Sequence, residues 1–253
     1  MIISATDPTG GAGLATDIRV CSSLGAYPIP IVSAITVQNH RGVSDCVPTD
    51  QEVLKAQMEA ALEDFTPDAV KIGLMPDAGV IKTIAGIIRN HGLSNVVVDP
   101  VLAPTKGGKL VADPESTLRE FVTRFPALAT LITPNKGEMA TLMRISNELN
   151  SAQSWNAVLL TGGDEDSCNC HDTLIRLGRE DITFSSPKIE SRNLHGTGCT
   201  LSSAIASFLA IGYGLEESIT KAKDFITEAL RLSAAMTLTS DYGPAFILPP
   251  DSI

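Results

Sequence analysis

A cysteine stands at the start of a predicted helix, directly behind a glycine-rich turn. The segment 195–203 has the sequence HGTGCTLSS, and the apolar residues after Cys199 recur every three or four positions until Gly212. The first turn of a helix has unpaired N–H groups and the positive end of the helix dipole, so it favours an anion and lowers the pKa of a thiol. The pattern therefore predicts a phosphate site in which Cys199 is a thiolate or readily loses its proton. The alternative is a small apolar residue that fills a tight helix start.

A second glycine-rich loop lies near the N-terminus. The segment 6–13, TDPTGGAG, follows a short apolar stretch and leads into a predicted helix that carries Asp17. This loop lacks the third glycine of a dinucleotide fingerprint, and the sequence has no GxxxxGK[ST] motif, which excludes Walker-type phosphate binding. From the sequence alone, Asp17 is most simply a solvated charge on the helix.

An amide and a carboxylate, Asn135 and Glu138, follow another predicted strand. Asn135 at the helix N-terminus with Glu138 three residues later forms a capping-box pattern, which is a purely structural role. Alternatively, Glu138 holds a magnesium ion near nucleotide phosphates. The sequence leaves both interpretations open.

Two further strand ends carry residues suited to a nucleotide site. Asp99 closes the apolar run 96–98, where a carboxylate is hard to explain by packing, and it is the second candidate for magnesium. Gly162 and Gly163 follow a buried strand, as a nucleotide-facing turn would. Ligands of parallel sheets bind beyond the carboxyl ends of the strands, so all these residues are expected at one edge of the sheet.

The elements that position these residues alternate between apolar runs and amphipathic stretches, which predicts an α/β fold with a mostly parallel sheet. A hairpin of 172–177 and 181–184 is predicted to form an antiparallel edge. No linker, repeat or low-complexity segment divides the chain, so one domain is predicted over residues 1–253. Strands are predicted at 29–37, 69–72, 95–99, 128–133 and 157–161, and helices at 13–24, 51–64, 77–90, 115–125 and 137–143.

The amino-acid composition argues against several classes of protein. The 253 residues are 43% hydrophobic, enough for a full core, and the formal net charge of -10 argues against nucleic-acid binding through a basic surface. No stretch approaches the roughly 18 apolar residues needed to span a membrane. The first residues lack the basic region of a signal peptide, and the five cysteines show no CxxC spacing, so we expect reduced thiols and a cytoplasmic protein.

Taken together, these motifs resemble the hydroxymethylpyrimidine and phosphomethylpyrimidine kinases of thiamin biosynthesis, members of the ribokinase-like superfamily. The GTGC sequence is specific, since most of the superfamily has aspartate where this branch and its pyridoxal kinase relatives have cysteine. The resemblance implies one ribokinase-like three-layer sandwich, with a mostly parallel central sheet, helices on both faces and an antiparallel edge. It runs nearly the length of the chain, and the matching segments are 6–13 with Asp17, 24–27, 37–39 with 41–43, 71–73, 98–101, 133–135 with Glu138, 162–163, Asp172 and 195–200.

The resemblance also implies the reaction: ATP with Mg²⁺ phosphorylates 4-amino-5-hydroxymethyl-2-methylpyrimidine and then its monophosphate. It makes Cys199 the base, and the N–H groups of Gly196, Thr197, Gly198 and Cys199 an anion hole. The amide of Gln38 suits an aminopyrimidine because it offers a donor and an acceptor side by side. The residues that the resemblance assigns to the pyrimidine are Ala5, Asp17, Val37, Gln38 and Leu74. Those assigned to the nucleotide are Asp99, Asn135, Glu138, Gly162, Gly163 and Lys223, with Asp99 and Glu138 also at the metal ion.

The chain departs from the family pattern at three positions. Ala5 stands where the family usually has glycine, Thr161 replaces a lysine before the double glycine, and Leu74 occupies a position that is often methionine. Two other functions stay open: a cysteine-type pyridoxal kinase, whose substrate is also a flat ring with a hydroxymethyl group, and a non-catalytic pyrimidine-binding relative. Relatives are often homodimers, so a homodimer is expected.

Overall fold

A computed structural model describes residues 1–102, 107–149, 155–162, 168–236 and 243–245 of the chain. Its strands join in one sheet of nine strands, in the order β3-β2-β1-β4-β5-β6-β7-β8-β9. The central strands from β2 to β7 are parallel to their neighbours, while β3 at one edge and β8 and β9 at the other run antiparallel. The strands are β1 Ile2–Thr6, β2 Pro30–Asn39, β3 Gly42–Pro48, β4 Val70–Ile72, β5 Val96–Val98, β6 Leu131–Ile132, β7 Val158–Leu160, β8 Asn169–Ile175 and β9 Ile182–Pro187.

Helices cover both faces of the sheet, so the molecule has three layers. One face carries α2 to α5 and the other carries α1, α6 and α7, each with its own apolar cluster. The side chains of β5 show the alternation directly, since Val96 and Val98 pack in the first cluster and Val97 in the second. The helices are α1 Gly13–Ser23, α2 Gln51–Asp64, α3 Ala78–His91, α4 Pro114–Arg124, α5 Lys136–Glu148, α6 Thr197–Ile211 and α7 Leu215–Ala234.

Local sequence signals set several helix ends. The Asp77 side chain accepts a hydrogen bond from the Val80 N–H at 2.8 Å and so caps α3, which ends at Gly92 with a left-handed φ of 62°. Asp113 caps α4 in the same way, and Pro114 stands in its first turn. These caps confirm the predicted helices at 77–90 and 115–125.

The structure corrects several predicted boundaries. The predicted strand 29–37 is longer and continues to Asn39, since it turns back into β3 as a hairpin that the sequence interpretation did not include. Helix α5 extends to Glu148 rather than stopping at 143. The helix α7 was also not predicted, whereas the antiparallel β8–β9 hairpin was.

No helix in the described ranges is both long and apolar enough to cross a membrane. All the described strands belong to one sheet, and the single domain over 1–253 stays a prediction.

Candidate active site

The predicted anion site lies at the start of α6, on the same side of the sheet as α1. Gly196 precedes the helix with a left-handed φ of 81°, and Cys199 lies in the first turn as predicted. A side chain at Gly196 would overlap the carbonyl oxygen of Gly11, and one at Gly198 would lie 3.6 Å from a carboxylate oxygen of Asp99. Gly196 thus allows the first turn of α6 to lie close to the N-terminal loop, whereas a Cβ at Gly198 would make only ordinary van der Waals contact with Asp99.

The N-terminal glycine loop is held from within by Asp7, which is only 5% exposed. One oxygen of Asp7 accepts hydrogen bonds from the N–H and hydroxyl of Thr9, both at 2.8 Å, and the other accepts from the Ala12 N–H at 3.0 Å. Gly13 then begins α1, where a Cβ would overlap the carbonyl oxygen of Ala5. The loop is therefore closely folded against the end of β1.

The state of Cys199 differs from the sequence prediction. Burial raises the pKa of the thiol to about 12, and the carboxylates of Asp17 and Asp99 add to this effect. The buried ammonium of Lys71 and the backbone N–H of Gly13 act in the opposite direction but do not offset it. The prediction of a lowered pKa at Cys199 is therefore wrong for the unliganded protein, because the helix N-terminus is outweighed by desolvation.

Beneath Cys199 lies a buried ion pair. Lys71, 1% exposed, donates from Nζ to Asp17 Oδ2 at 2.8 Å, and Asp17 Oδ1 accepts from the Ser203 hydroxyl at 2.8 Å. Asp17 is fully buried, so it is not the solvated helix charge that the sequence suggested. Both of its oxygens have protein partners, and its assignment to the pyrimidine stays a prediction. The sequence showed Lys71 at a strand end but gave it no role.

Asp99 follows β5, where it is 6% exposed beside the start of α6. Its Oδ2 accepts a hydrogen bond from the Ser202 hydroxyl at 3.2 Å. Burial raises the pKa of Asp99, although Lys71 opposes the shift. A cation beside this carboxylate would favour its ionised form, so the residue fits a magnesium ion chemically.

Asn135 and Glu138 form the capping box that the sequence allowed. The Asn135 side chain accepts from the Glu138 N–H, and Glu138 Oε2 accepts from the Asn135 N–H, both at 2.9 Å. Glu138 Oε1 also accepts from the Leu102 N–H at 3.4 Å, which links α5 to the segment that follows Asp99. The structural role is confirmed, and the magnesium role stays a prediction.

The described residues contain no cluster of three or more His, Cys, Asp or Glu side chains that could hold a metal ion. Mg²⁺ commonly takes one or two carboxylates and completes its shell with substrate phosphates and waters. Asp99 and Glu138 are hard oxygen donors of this kind. The described residues therefore fit an ion that arrives with a nucleotide.

A second buried ion pair lies near Gly162. Lys223, 5% exposed on α7, donates to Asp172 Oδ2 at 2.6 Å, and Asp172 Oδ1 accepts from the Gly162 N–H at 2.9 Å. A Cβ at Gly162 would overlap the carbonyl oxygen of His171. Lys223 thus supports the glycine turn through Asp172, and its direct approach to a nucleotide stays a prediction. Gly163 lies outside the described residues.

Two of the residues assigned to the pyrimidine lie together. Ala5 and Leu74 are buried in one small cluster with Val43, while Val37 and Gln38 lie on the β2–β3 hairpin. Gln38 pairs with Val43 across that hairpin, which places the half-buried amide next to the Ala5–Leu74 cluster in the register of the strands. Val37 is 52% exposed.

Sequence reasoning missed the bond between the two glycine loops. The His195 ring Nε2 lies 2.7 Å from Asp7 Oδ2, although the residues are 188 positions apart. Each residue belongs to one of the two glycine-rich motifs, but their separation in the sequence gives no sign that they meet.

Comparisons with known proteins agree with one another. A family model described as phosphomethylpyrimidine kinase matches residues 7–245. A hydroxymethylpyrimidine/phosphomethylpyrimidine kinase of Rhizobium meliloti is 35% identical, and the alignment covers 96% of this chain and 94% of the relative. The chain spans only 44 to 51% of the curated bifunctional thiamine biosynthetic relatives that it also matches.

Solved structures show the same fold. A phosphomethylpyrimidine kinase of Clostridium difficile 630 superposes with a TM-score of 0.73 at 31% identity, over 90% of this chain and 97% of that one. A Bacillus subtilis pyridoxal kinase in an ADP complex superposes with a TM-score of 0.83 at 27% identity, over 97% and 95% of the two chains. The predicted ribokinase-like three-layer sandwich is confirmed.

Proposed function

The chain belongs to the phosphomethylpyrimidine kinase family, and we propose that it transfers the γ-phosphate of ATP to 4-amino-5-hydroxymethyl-2-methylpyrimidine and then to the monophosphate of that compound. It is accordingly a phosphotransferase. The observation that carries the proposal is the start of α6, where Cys199 and the N–H groups of the first turn lie beside Asp99 and the N-terminal glycine loop. Of these groups, the Thr197 N–H donates to the Leu194 carbonyl oxygen at 3.3 Å.

The reaction asks the protein mainly for positioning and charge neutralisation. The hydroxymethyl oxygen attacks the γ-phosphorus, the bond to the ADP oxygen breaks, and the hydroxyl proton leaves to Cys199. Because the thiol is neutral in the free protein, it must first lose its own proton to solvent when the substrates are bound. The N–H groups of Gly196, Thr197, Gly198 and Cys199 stabilise the charge on the migrating group, since a helix N-terminus favours an anion.

The remaining assigned residues bind the two substrates. Ala5 and Leu74 offer apolar contact to the ring, and the Gln38 amide pairs with a ring nitrogen and its amino neighbour. The nucleotide lies toward Asn135 and Gly162. Asp99 and Glu138 would hold a magnesium ion, which neutralises phosphate charge when bound.

The test is a MgATP-dependent assay with the hydroxymethylpyrimidine as acceptor, in which products are identified by mass. We expect mono- and then diphosphate from the wild-type protein, and a kcat lower by about 10²-fold or more in Cys199→Ala, since a positioned base contributes about 10² to 10⁴. Well-folded protein that phosphorylates neither pyrimidine contradicts the proposal. Retention of full activity in Cys199→Ala contradicts only the role of the thiol.

A second candidate substrate is pyridoxal, which the likeness to the Bacillus subtilis pyridoxal kinase favours. Both candidates are flat heteroaromatic rings with a hydroxymethyl group. Competition between them in one reaction decides the preference, and we expect the pyrimidine to be used with the higher kcat/KM.

We also propose a homodimer and a cytoplasmic location. The dimer proposal is supported by the β2–β3 hairpin at the edge of the sheet, where Ile35, Val37 and Val47 lie on one face and are 57%, 52% and 51% exposed. An apolar edge of this kind is usually covered in a stable protein.

A further inference from the structure

The two glycine loops of the site are joined by a partly buried contact between two side chains. His195 Nε2 lies 2.7 Å from Asp7 Oδ2, and the two side chains are 18% and 1% exposed. The Asp7 carboxylate is also the acceptor for Thr9 and Ala12, so it organises the loop of residues 7–13 and contacts the loop of residues 195–199 at the same time.

The backbones of the loops fit around this contact. Gly11 has no room for a Cβ because the His195 ring is there, and Gly196 has none because the Gly11 carbonyl oxygen is there. On the other side, the His195 main chain is held by Gly243 and Ala245, through hydrogen bonds of 3.2 and 2.8 Å. His195 is therefore fixed by its backbone and reaches across to Asp7 with its ring.

Cys199 is coupled to the same arrangement. The Gly13 N–H, at the end of the first loop, lies close enough to Cys199 to lower the pKa of its thiol, against the larger effect of burial. A shift of residues 7–13 relative to residues 195–199 would thus move a group that contacts the thiol. Positional errors of about 1 Å in a site that works by orientation can cost on the order of 10²-fold in rate.

We propose that Asp7 and His195 are positioning residues for phosphoryl transfer, whose contact holds the N-terminal glycine loop in register with the anion site and Cys199. The inference rests on the proposed kinase function. The pair touches neither substrate; it fixes the loops that do. The Asp7 carboxylate suits this role because it stays ionised: burial alone would raise its pKa, but the His195 and Thr9 hydrogen bonds lower it below the usual value.

The test compares substitutions of His195 that keep or remove a hydrogen-bond donor to the Asp7 carboxylate. In His195→Leu the donor is lost, and we expect kcat to fall by about 10²-fold while the KM for ATP stays within about twofold. In His195→Gln the amide can still donate to Asp7, and we expect kcat within about fivefold of the wild type. His195→Asn, whose amide is too short to reach Asp7, should behave like the leucine variant and provides the comparison should that variant fail to fold.

The matched control is Arg176→Gln, which removes an ion pair of 2.7 Å between Arg176 and Glu216. Arg176 follows β8 near the start of β7, at the end of the sheet opposite the site. We expect its kcat to be unchanged. A His195→Leu variant with a lowered melting temperature but wild-type kcat would show a merely structural contact and overturn the proposal.

Hydrogen exchange separates this inference from the kinase function itself. In the unliganded protein, His195→Leu should speed amide exchange in both 7–13 and 195–200, whereas Arg176→Gln should change neither segment. Equal exchange in wild type and His195→Leu overturns the coupling whatever the activity. A wild-type protein without turnover overturns the kinase function, and with it the catalytic purpose of the contact, even if the exchange result shows coupling.

Discussion

At Cys199, opposing effects act on one thiol. The N-terminus of α6 and the ammonium of Lys71 favour a thiolate, while burial and the carboxylates of Asp17 and Asp99 favour the protonated form. Burial is the largest of these, and the pKa rises to about 12. The free protein therefore holds a neutral thiol at physiological pH, and the base role that we propose for Cys199 requires the bound substrates to lower this pKa.

The raised pKa predicts slow alkylation of Cys199. Only the thiolate reacts, so at pH 8 iodoacetamide should modify Cys199 about 10³-fold more slowly than a thiol of ordinary pKa. The rate should rise about tenfold per pH unit from there until the pH comes within about one unit of the pKa. Peptide mapping by mass spectrometry measures this, and the exposed Cys168 of the same chain is the internal control. A rate that reaches its plateau below pH 8 would instead support the thiolate predicted from the sequence.

Substitutions in the Lys71–Asp17 pair should lower the free energy of unfolding much more when one charge is removed than when both are. Lys71→Met leaves a buried carboxylate without its cation, which should lower the free energy of unfolding by roughly 3 to 5 kcal/mol. The double variant Lys71→Met with Asp17→Asn has no unpaired charge and should regain most of this loss. Urea unfolding at pH 7 measures both.

The control for this pair is Arg231→Met, which removes an exposed ion pair with Glu228 and should cost less than about 1 kcal/mol. A double variant no more stable than Lys71→Met alone would show that the lysine acts through packing rather than through its charge.

At the scale of elements, the first turn of α5 has two roles to be tested, capping the helix and binding MgATP, and substitutions can separate them. Asn135→Ala removes half of the capping box and should destabilise the protein by about 1 kcal/mol. Glu138→Gln keeps an acceptor for the Asn135 N–H but removes the negative charge, so stability should change little while the affinity for MgATP falls. Thermal unfolding and a nucleotide titration with and without Mg²⁺ measure the two effects.

Unchanged MgATP affinity in Glu138→Gln would leave α5 with its capping role alone. A large loss of stability in the same variant would mean that the charge itself holds the Leu102 segment, to which Glu138 is bonded.

The sequence predicted helices and strands well where apolar residues repeat at a regular spacing. It predicted them poorly where an element depends on pairing with another segment of the chain. The apolar rhythm of α3 and the valines of β5 are local patterns, and both elements are present. Strand β3 has few apolar residues and is stabilised by pairing with β2, so its own sequence gives little sign of it. By contrast, α7 has a buried apolar face at helical spacing that could have been found.

The candidate site shows the same division. Glycines at the start of α6 and the capping box are local signals, and the structure contains both. The partners of buried charges are not local: Lys71 meets Asp17 from 54 positions away, and Lys223 meets Asp172 from 51. Burial also decided the pKa of Cys199, and a sequence motif does not report how much of a side chain is removed from water.

At the scale of the whole molecule, the parallel order of the sheet gathers distant segments at one edge. The ends of β1, β4, β5, β6 and β7 place the glycine loop, Gly73, Asp99, Thr133 and Thr161 along that edge, although they span most of the chain. Ligands of open α/β sheets bind at such an edge. The helix α6 then completes the site from the opposite end of the sequence.

The β2–β3 hairpin forms an antiparallel edge of the sheet beside this site, and we expect two copies of the protein to pair through it. Ile35 and Val47 lie opposite each other on the β2–β3 hairpin, so one double substitution, Ile35→Ser with Val47→Ser, removes much of its exposed apolar face. If two copies meet through this face in an isologous contact, the variant should shift from dimer to monomer in sedimentation velocity, with the far-UV spectrum unchanged. Tyr27→Ser, at a residue 76% exposed elsewhere on the surface, is the control and should leave the dimer intact.

A wild-type protein that is monomeric at every concentration refutes the dimer, and a double variant as dimeric as the wild type would mean that the interface lies on another surface. Because Gln38 lies on the same hairpin, loss of the dimer should also raise the KM for the pyrimidine more than the KM for ATP.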